Sequence, residues 1–240
     1  MIITIFFVLL QLFVGLLLPI HSLSEENSKL WLSREPKTIR VLLDVATSSL
    51  ELKVPSPVKI INLETQKVIE IAMERAILKI KKDRDTLSIP DSNWSGRSVA
   101  VQPLYPNGVV EYKNYLFRGG LVLKLDMSGG LLVINYLDLE EYLYGVLPQE
   151  VSSKWQPEAI KSQAITSRTY SVHKMQRSAA YPFDVRADYM DQVYKGLTGE
   201  SEITNEIVDM TRGQVISFHN SPILSVFHDT CGGVTENAKE

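Results

Sequence analysis

Three polar side chains stand where apolar ones would pack more simply. The stretch LPQEVSSKWQPEAIKSQAITSRTYS, residues 147–171, carries Glu150 in a connector just ahead of a helix pattern. Gln163 and Arg168 then fall on that helix's packing stripe. Ile160, Gln163, Ala164, Ser167, Arg168 and Ser171 recur at helical spacing and so share one face. The small residues let a neighbouring backbone approach, and a guanidinium among them is costly unless a carboxylate pairs with it. Arg168 therefore has two readings, a buried ion pair that holds the fold or a cation that serves a site, and spacing alone favours the first. Glu150 also has two. It is either part of a solvated turn or cap, or a carboxyl whose burial raises its pKa towards working pH and makes it a general acid.

Other chemistries find less support. The four histidines, His21, His173, His219 and His228, are scattered. His219 and His228 flank an expected hairpin without a third ligand at metal spacing. Cys231 and His228 lie three residues apart, which in a strand sends their side chains to opposite faces. Ser167 and Ser225 lack the G-x-S-x-G context of a nucleophile elbow. The RGG and SGG segments read as turns, not as phosphate-binding loops. A formal net charge of -3 gives no electrostatic reason to expect a nucleic-acid partner.

The elements that must position these groups divide the chain. With 240 residues, 45% of them hydrophobic, it is long enough for one large domain or two small ones. Residues 1–24 are expected to be a signal peptide or N-terminal membrane anchor. The run from Ile2 to Ile20 is almost wholly apolar, has no Lys or Arg ahead of it, and is followed by small residues at Ser22 and Ser24. Either fate exports the rest of the chain, so an extracytoplasmic place in the cell envelope or periplasm is expected. If retained, residues 2–20 tether the chain to the membrane. A single cysteine excludes an intrachain disulfide.

Residues 38–125 read as strands: TIRVLLDV, SLELKVPSPVKIINLE, SVAVQPL and VVEYKNYLFRGGLVLKLD, with KVIEIAMERAILKIKK ambiguous between a helix and two strands. No helical crossover separates them, so the sheet is expected to be antiparallel. After GLLVINYLDL the style changes at Leu139. LEEYLYGVLP predicts a short helix ended by Pro148, and WQPEAIKSQAITSRTYSVHKMQR a longer one with Pro157 and Glu158 in its first turn. Beyond Tyr181, QVYKG predicts a strand, ESEITNEIVDMTRG a helix or turn, and GQVISFHNSPILSVFHDTCGG a hairpin turning at HNSP. The fold class is therefore α+β, β-rich first and mixed afterwards. Residues 126–240 close on the charged VTENAKE without a further element, as expected of a domain incomplete at its C-terminus.

Three motifs in order bring a family into view: the V-x-P-x-E turn ending on Glu150, the helix with P-E-A-x-K-x-Q-A and S-R-T-Y, and the later C-G-G-x-T-E. Together with DQVYKG they resemble the stage II sporulation protein D and amidase enhancer (SpoIID/LytB domain) family, most strongly from about Tyr115 to Glu240. The resemblance implies a lytic transglycosylase acting on peptidoglycan glycan strands stripped of their stem peptides, with no cofactor. It makes residues 126–240 the catalytic core, Glu150 the catalytic acid, and Arg168, Gln163, Tyr170, Gly232, Gly233 and Thr235 binding or supporting positions. It also implies an N-acetylmuramoyl-L-alanine amidase as a partner. A non-catalytic amidase enhancer or glycan-binding module on the same fold is the competing reading, and a structural envelope domain a third. Sporulation members commonly carry Cys and His before the Q-V-Y-x-G segment, where they can hold zinc. Here Phe183 to Gly196 contains neither, so no structural zinc is expected.

Overall fold

The strand called β2, Leu50–Val54, shows how the sequence makes the sheets. Leu50, Leu52 and Val54 are buried while Glu51 and Lys53 face water, the period-two alternation of a half-covered strand. The computed structural model describes residues 38–228 and residue 233, all within one compact unit, Lys37–Glu240. The expected leader at residues 1–24, and Gly232 and Thr235, lie outside the described residues. Among the described residues no helix is long and apolar enough to cross a membrane.

The strands are β1 Thr38–Ala46, β2, β3 Val58–Asn62, β4 Lys67–Ala72, β5 Ala76–Lys82, β6 Leu87–Ile89, β7 Trp94–Gly96, β8 Ser98–Pro103, β9 Val110–Tyr112, β10 Tyr115–Phe117, β11 Gly120–Leu125 and β12 Leu131–Asp138. Helices α1 Leu139–Glu150 and α2 Pro157–Arg177 come next, then β13 Val185–Arg186, α3 Glu202–Met210, β14 Ser217–Phe218 and β15 Ser221–Pro222. A seven-stranded sheet runs in the order β13-β1-β12-β11-β8-β3-β4, and a six-stranded sheet in the order β10-β9-β2-β5-β6-β7. Pairing among the described strands is antiparallel except where β13 joins β1 in parallel. The α+β architecture thus matches the expectation. The ambiguous segment resolves into β4 and β5, broken at Arg75, whose φ of 68° no strand or helix interior accepts. That break moves the chain from one sheet to the other.

The large sheet buries residues on both faces, which is why LLVINYLD of β12 is buried along most of its length, Asn135 included. Ile39, Val41, Val133, Leu137 and Leu121 share the main core with Leu52, Val54 and Ile80 of the small sheet and with Tyr142, Leu143 and Val146 of α1. Leu42, Val122, Leu132 and Ile134 point the other way, into a smaller cluster.

The helices depart from expectation at one place. Asp138 caps α1 by accepting the Glu140 N–H at 2.8 Å. The helix then runs through Pro148 to Glu150 and does not stop at the proline. Proline removes one N–H but its φ suits a helix, and the last turn is closed by the Val151 N–H on the Leu147 carbonyl at 3.1 Å. Glu150 is therefore the final residue of a rigid element, not part of a free connector.

QVYKG is no strand either. Gln192 and Tyr194 turn inward while Val193 is half-buried and Lys195 exposed, the same alternation a strand gives, but the segment packs on α1 without a sheet partner and leads into a 3-10 turn, Gly196–Gly199. Gly145 makes the approach feasible. A Cβ there would lie 2.6 Å from the Tyr194 ring and 2.9 Å from the Gly196 carbonyl. The expected hairpin is present but short: β14 and β15 flank His219 and Asn220, both at positive φ as a two-residue turn requires.

Candidate active site

Glu150 projects from the C-terminal end of α1 into a concavity of about 360 Å³. Tyr170 of α2 lines it, as do Tyr189, Met190, Asp191 and Val193 of the segment after β13, and Val226 and Phe227 near the end of the described chain. The carboxyl is half-buried, and its hydrogen bond comes from the Val193 N–H to Oε1 at 3.4 Å. Burial pushes the Glu150 carboxyl above the ordinary carboxylate range, with the Val193 N–H pulling weakly the other way. Its place at a helix C-terminus acts in the same direction as burial, because the partial negative charge there disfavours a second one. Among the described residues no cation pairs with it.

The Val193 donor is fixed from below. The Tyr194 hydroxyl donates to Asn135 Oδ1 at 2.9 Å, and Asn135 in turn donates to the carbonyls of Arg118 and Gly120 within the sheet. The Tyr142 and Tyr194 rings lie 5.0 Å apart. Gln192 Oε1 accepts from the Tyr142 hydroxyl at 3.2 Å and the Ser171 hydroxyl at 2.9 Å. The segment beside the acid is thus bolted to both helices and to β12.

Opposite Glu150, Asp191 gathers donors. The Tyr170 hydroxyl donates to Oδ1 at 2.6 Å, the Lys174 ammonium lies 2.8 Å from the same oxygen, and the Arg186 N–H donates to Oδ2 at 2.8 Å. Burial and the Asp191 carboxylate hold the Tyr170 hydroxyl well above its usual range, so it stays a proton donor. Both Asp191 oxygens are engaged, so this carboxylate anchors Tyr170, Lys174 and the Arg186 backbone beside Glu150.

Arg168 is elsewhere. Its side chain is 1% exposed and grips Glu140, with Nη2 2.7 Å from Oε2 and Nε 3.0 Å from Oε1. Nη1 donates to the Gln214 carbonyl and Nη2 to the Val208 carbonyl, each at 3.2 Å. Glu140 also accepts the Gly213 N–H at 3.2 Å. Glu140 and Glu150 sit at opposite ends of α1, about 15 Å apart along its axis at 1.5 Å per residue. The guanidinium therefore ties α1 and α2 to the end of α3 and does not line the concavity.

Gln163 donates to the Ser167 hydroxyl at 3.2 Å and remains on α2's stripe, away from Glu150's lining. Gly233 is exposed at a φ of 103° with open space where a Cβ would be. Of the positions named from the sequence, Glu150 and Tyr170 are brought together, while Arg168 and Gln163 are not. Sequence reasoning missed Asp191, Val193, Tyr189 and Glu140. The other carboxylates with a claim are placed apart. Burial raises the Glu141 carboxyl, but it lies near the Arg118–Glu200 pair, and Glu158 is exposed against Lys161. Glu236 lies outside the described residues.

Fold and site together define a class: an α+β domain with a half-buried carboxyl, raised by burial, at a helix end over an open trough. Comparison with known proteins adds relatives to that description. Residues 127–218 match the family model SpoIID, Stage II sporulation protein. The chain is 32% identical over 121 residues to stage II sporulation protein D of Bacillus subtilis, covering 44% of this chain and 35% of that one. It is 36% identical over 98 residues to the amidase enhancer of the same organism, covering 41% of this chain and 13% of the relative. An uncharacterized protein of Brachyspira hyodysenteriae is 27% identical over 205 residues, 84% of this chain and 54% of the relative. Residues 127–218 are therefore similar to the SpoIID family, and the two Bacillus subtilis relatives carry the same likeness. It spans about half the length of the Brachyspira relative and about a third of the sporulation protein.

Proposed function

We propose that the domain is a peptidoglycan lytic transglycosylase of the cell envelope, with Glu150 as its single acid and base. The observation that carries this reading is the Glu150 carboxyl, raised by burial and held by a single backbone N–H beside a solvent-open trough. Hydrolysing glycosidases need two carboxylates, because a water molecule must be activated or a nucleophile supplied. Here one proton-exchanging carboxyl suffices. Protonated Glu150 gives its proton to the oxygen between N-acetylmuramic acid and N-acetylglucosamine as the C1–O bond breaks. The resulting carboxylate takes the proton of the muramoyl 6-hydroxyl as O6 bonds to C1, leaving a 1,6-anhydro end and restoring the acid. Atoms and charge balance without water or cofactor.

Tyr189, 87% exposed at the rim, offers a flat face to a pyranose ring. Tyr170, kept protonated by Asp191, offers a fixed edge. Arg168 supports the reading indirectly, by fixing α2 against α1, while Gln163 bonds within α2 to Ser167. Gly232, Gly233 and Thr235 are proposed to border the same trough, continuing from Val226 and Phe227. The apolar leader, residues 1–24, is proposed to export the domain, and residues 38–125 to form the scaffold for residues 126–240.

The test is digestion of peptide-free glycan strands followed by mass spectrometry of the ends. Anhydromuramoyl ends that appear with the unsubstituted protein and vanish in Glu150→Gln support the enzyme. The likeness to an amidase enhancer favours one alternative, stimulation of an N-acetylmuramoyl-L-alanine amidase without glycan cleavage. Stimulation that survives Glu150→Gln, with no new ends at any enzyme concentration, establishes that alternative instead.

A further inference from the structure

The trough does not stop at Glu150. A second concavity, of about 260 Å³, shares Val193 with the first and is walled by Tyr115 and Phe117 of β10 and by Lys195. A third shares Tyr112 and Lys113 with the second and continues to Asp44 and Glu111. Neighbouring concavities thus share lining residues one after another, from Glu150 through Val193 towards the β9–β10 turn.

The charges along that path are unequal. At the far end each ammonium is spent: Lys113 lies 2.7 Å from Asp44 and Lys53 lies 2.6 Å from Glu111. Burial would raise the Asp44 carboxyl, yet hydrogen bonds from Lys113 and Tyr112 outweigh it and hold the group below its usual range. In the middle stretch Lys195 is different. It is exposed, lines the concavity, and among the described residues its ammonium has no carboxylate or hydrogen-bond partner. It sits beside Tyr115, which is 39% exposed. The turn that carries this wall is a two-residue hairpin turn, with Lys113 and Asn114 at φ of 51° and 66° as such a turn requires.

We propose that this middle stretch is a distal subsite of the same groove, taking a sugar unit that carries a free carboxylate. Lys195 is the counter-charge and Tyr115 the face on which the pyranose packs. The inference rests on the saccharide reading of the Glu150 site. It deepens that reading because a muramoyl unit bears a carboxylate only where no peptide is attached to its lactyl group. A backbone step of two residues separates Lys195 from Val193, about 7 Å at full extension, so the charge lies on a unit near the cleavage point.

The experiment is calorimetric titration of the full chain, in a Glu150→Gln background that prevents turnover. The two probes are a peptide-free muramoyl-glucosaminyl oligosaccharide and the same oligosaccharide with its lactyl carboxylates converted to amides. The acid form should bind about 1.5-fold to fivefold more tightly at low salt, as one ion pair at a solvated position provides. High salt should erase that margin. Lys195→Gln should abolish the preference while leaving the amide's affinity unchanged, and Tyr115→Ala should weaken both probes equally. Equal binding of acid and amide by the Glu150→Gln chain, or a preference that survives Lys195→Gln, overturns the subsite while the saccharide reading stands. Failure to bind either probe overturns both. Circular dichroism of each variant confirms that Lys195 and Tyr115, both at the surface, were replaced without loss of fold.

Discussion

Replacing Arg168 with methionine keeps the apolar stem of the side chain and removes only the guanidinium. In the native chain that group satisfies Glu140 through two nitrogens and reaches the carbonyls of Val208 and Gln214. Its loss leaves a buried carboxylate with the Gly213 N–H alone. Breaking a buried pair from one side costs about 3–5 kcal/mol, because the remaining charge stays out of water. For a folded unit of this size each kcal/mol moves the melting temperature by about 2–4 °C, which gives a fall of about 6–20 °C. Thermal unfolding followed by circular dichroism reads this directly. The double variant Glu140→Leu/Arg168→Met removes both charges and should recover at least half of the loss, since an apolar pair of similar volume replaces the ion pair. Glycan cleavage by Arg168→Met, measured well below its lowered melting temperature, should retain normal turnover. An unchanged melting temperature accompanied by lost turnover refutes the assignment of Arg168 to the fold.

The raised Glu150 carboxyl has a kinetic and a thermodynamic signature. In the proposed reaction the acid form acts first, so the rate should fall as pH rises through the elevated Glu150 pKa, and a pH–rate profile should place that limb above the usual carboxylate range. For stability the sign is reversed from a salt-bridged carboxylate: ionisation is disfavoured in the folded chain, so the penalty is absent below the unfolded pKa and grows as pH rises. Glu150→Gln should therefore unfold at the same or a higher temperature at neutral pH, while cutting cleavage by about a hundredfold or more. Gly145→Ala drives a methyl group into the Tyr194 ring and the Gly196 carbonyl and should cost about 1–3 kcal/mol in denaturant titration, with a matching loss of cleavage. Tyr170→Phe removes one of three donors from Asp191 and should cost about 1 kcal/mol while leaving the Glu150 pH limb in place.

What the chain disclosed in advance depended on whether a local rule was also the global one. Alternation in LELKV and the mostly apolar run of β12, interrupted by Asn135, disclosed the sheets, because burial on one or two faces is written into the residue pattern. Alternation in QVYKG misled for the same reason. Inward Gln192 and Tyr194 mimic a strand although their partners lie on α1 and in the side chain of Asn135. Helix geometry held a clue about the site. Residues two apart on a helix differ by about 200° in direction, so Arg168 and Tyr170 cannot both face Glu150. Glu140 was hidden by its position. An acidic residue two after an N-cap aspartate looks like an ordinary partner of the helix dipole, and nothing local reveals that it lies buried against an arginine 28 residues away.

The span between Asp184 and Tyr194 is moored at each end. Asp184 is clasped by Arg40 from β1, and Tyr194 is pinned to Asn135 of β12. Asp191 and Gln192 are fastened between them, to α2 and α1, and ahead of these the chain bows outward, with Tyr189 and Met190 at its crest. A bow held by its ends can be lengthened, shortened or redecorated without disturbing either mooring, and hence without shifting the helix end that bears Glu150. On the proposed reading, the choice of wall fragment would be uncoupled from the proton transfer, and loop grafting at residues 188–190 would be the natural route to a changed preference on an unchanged engine.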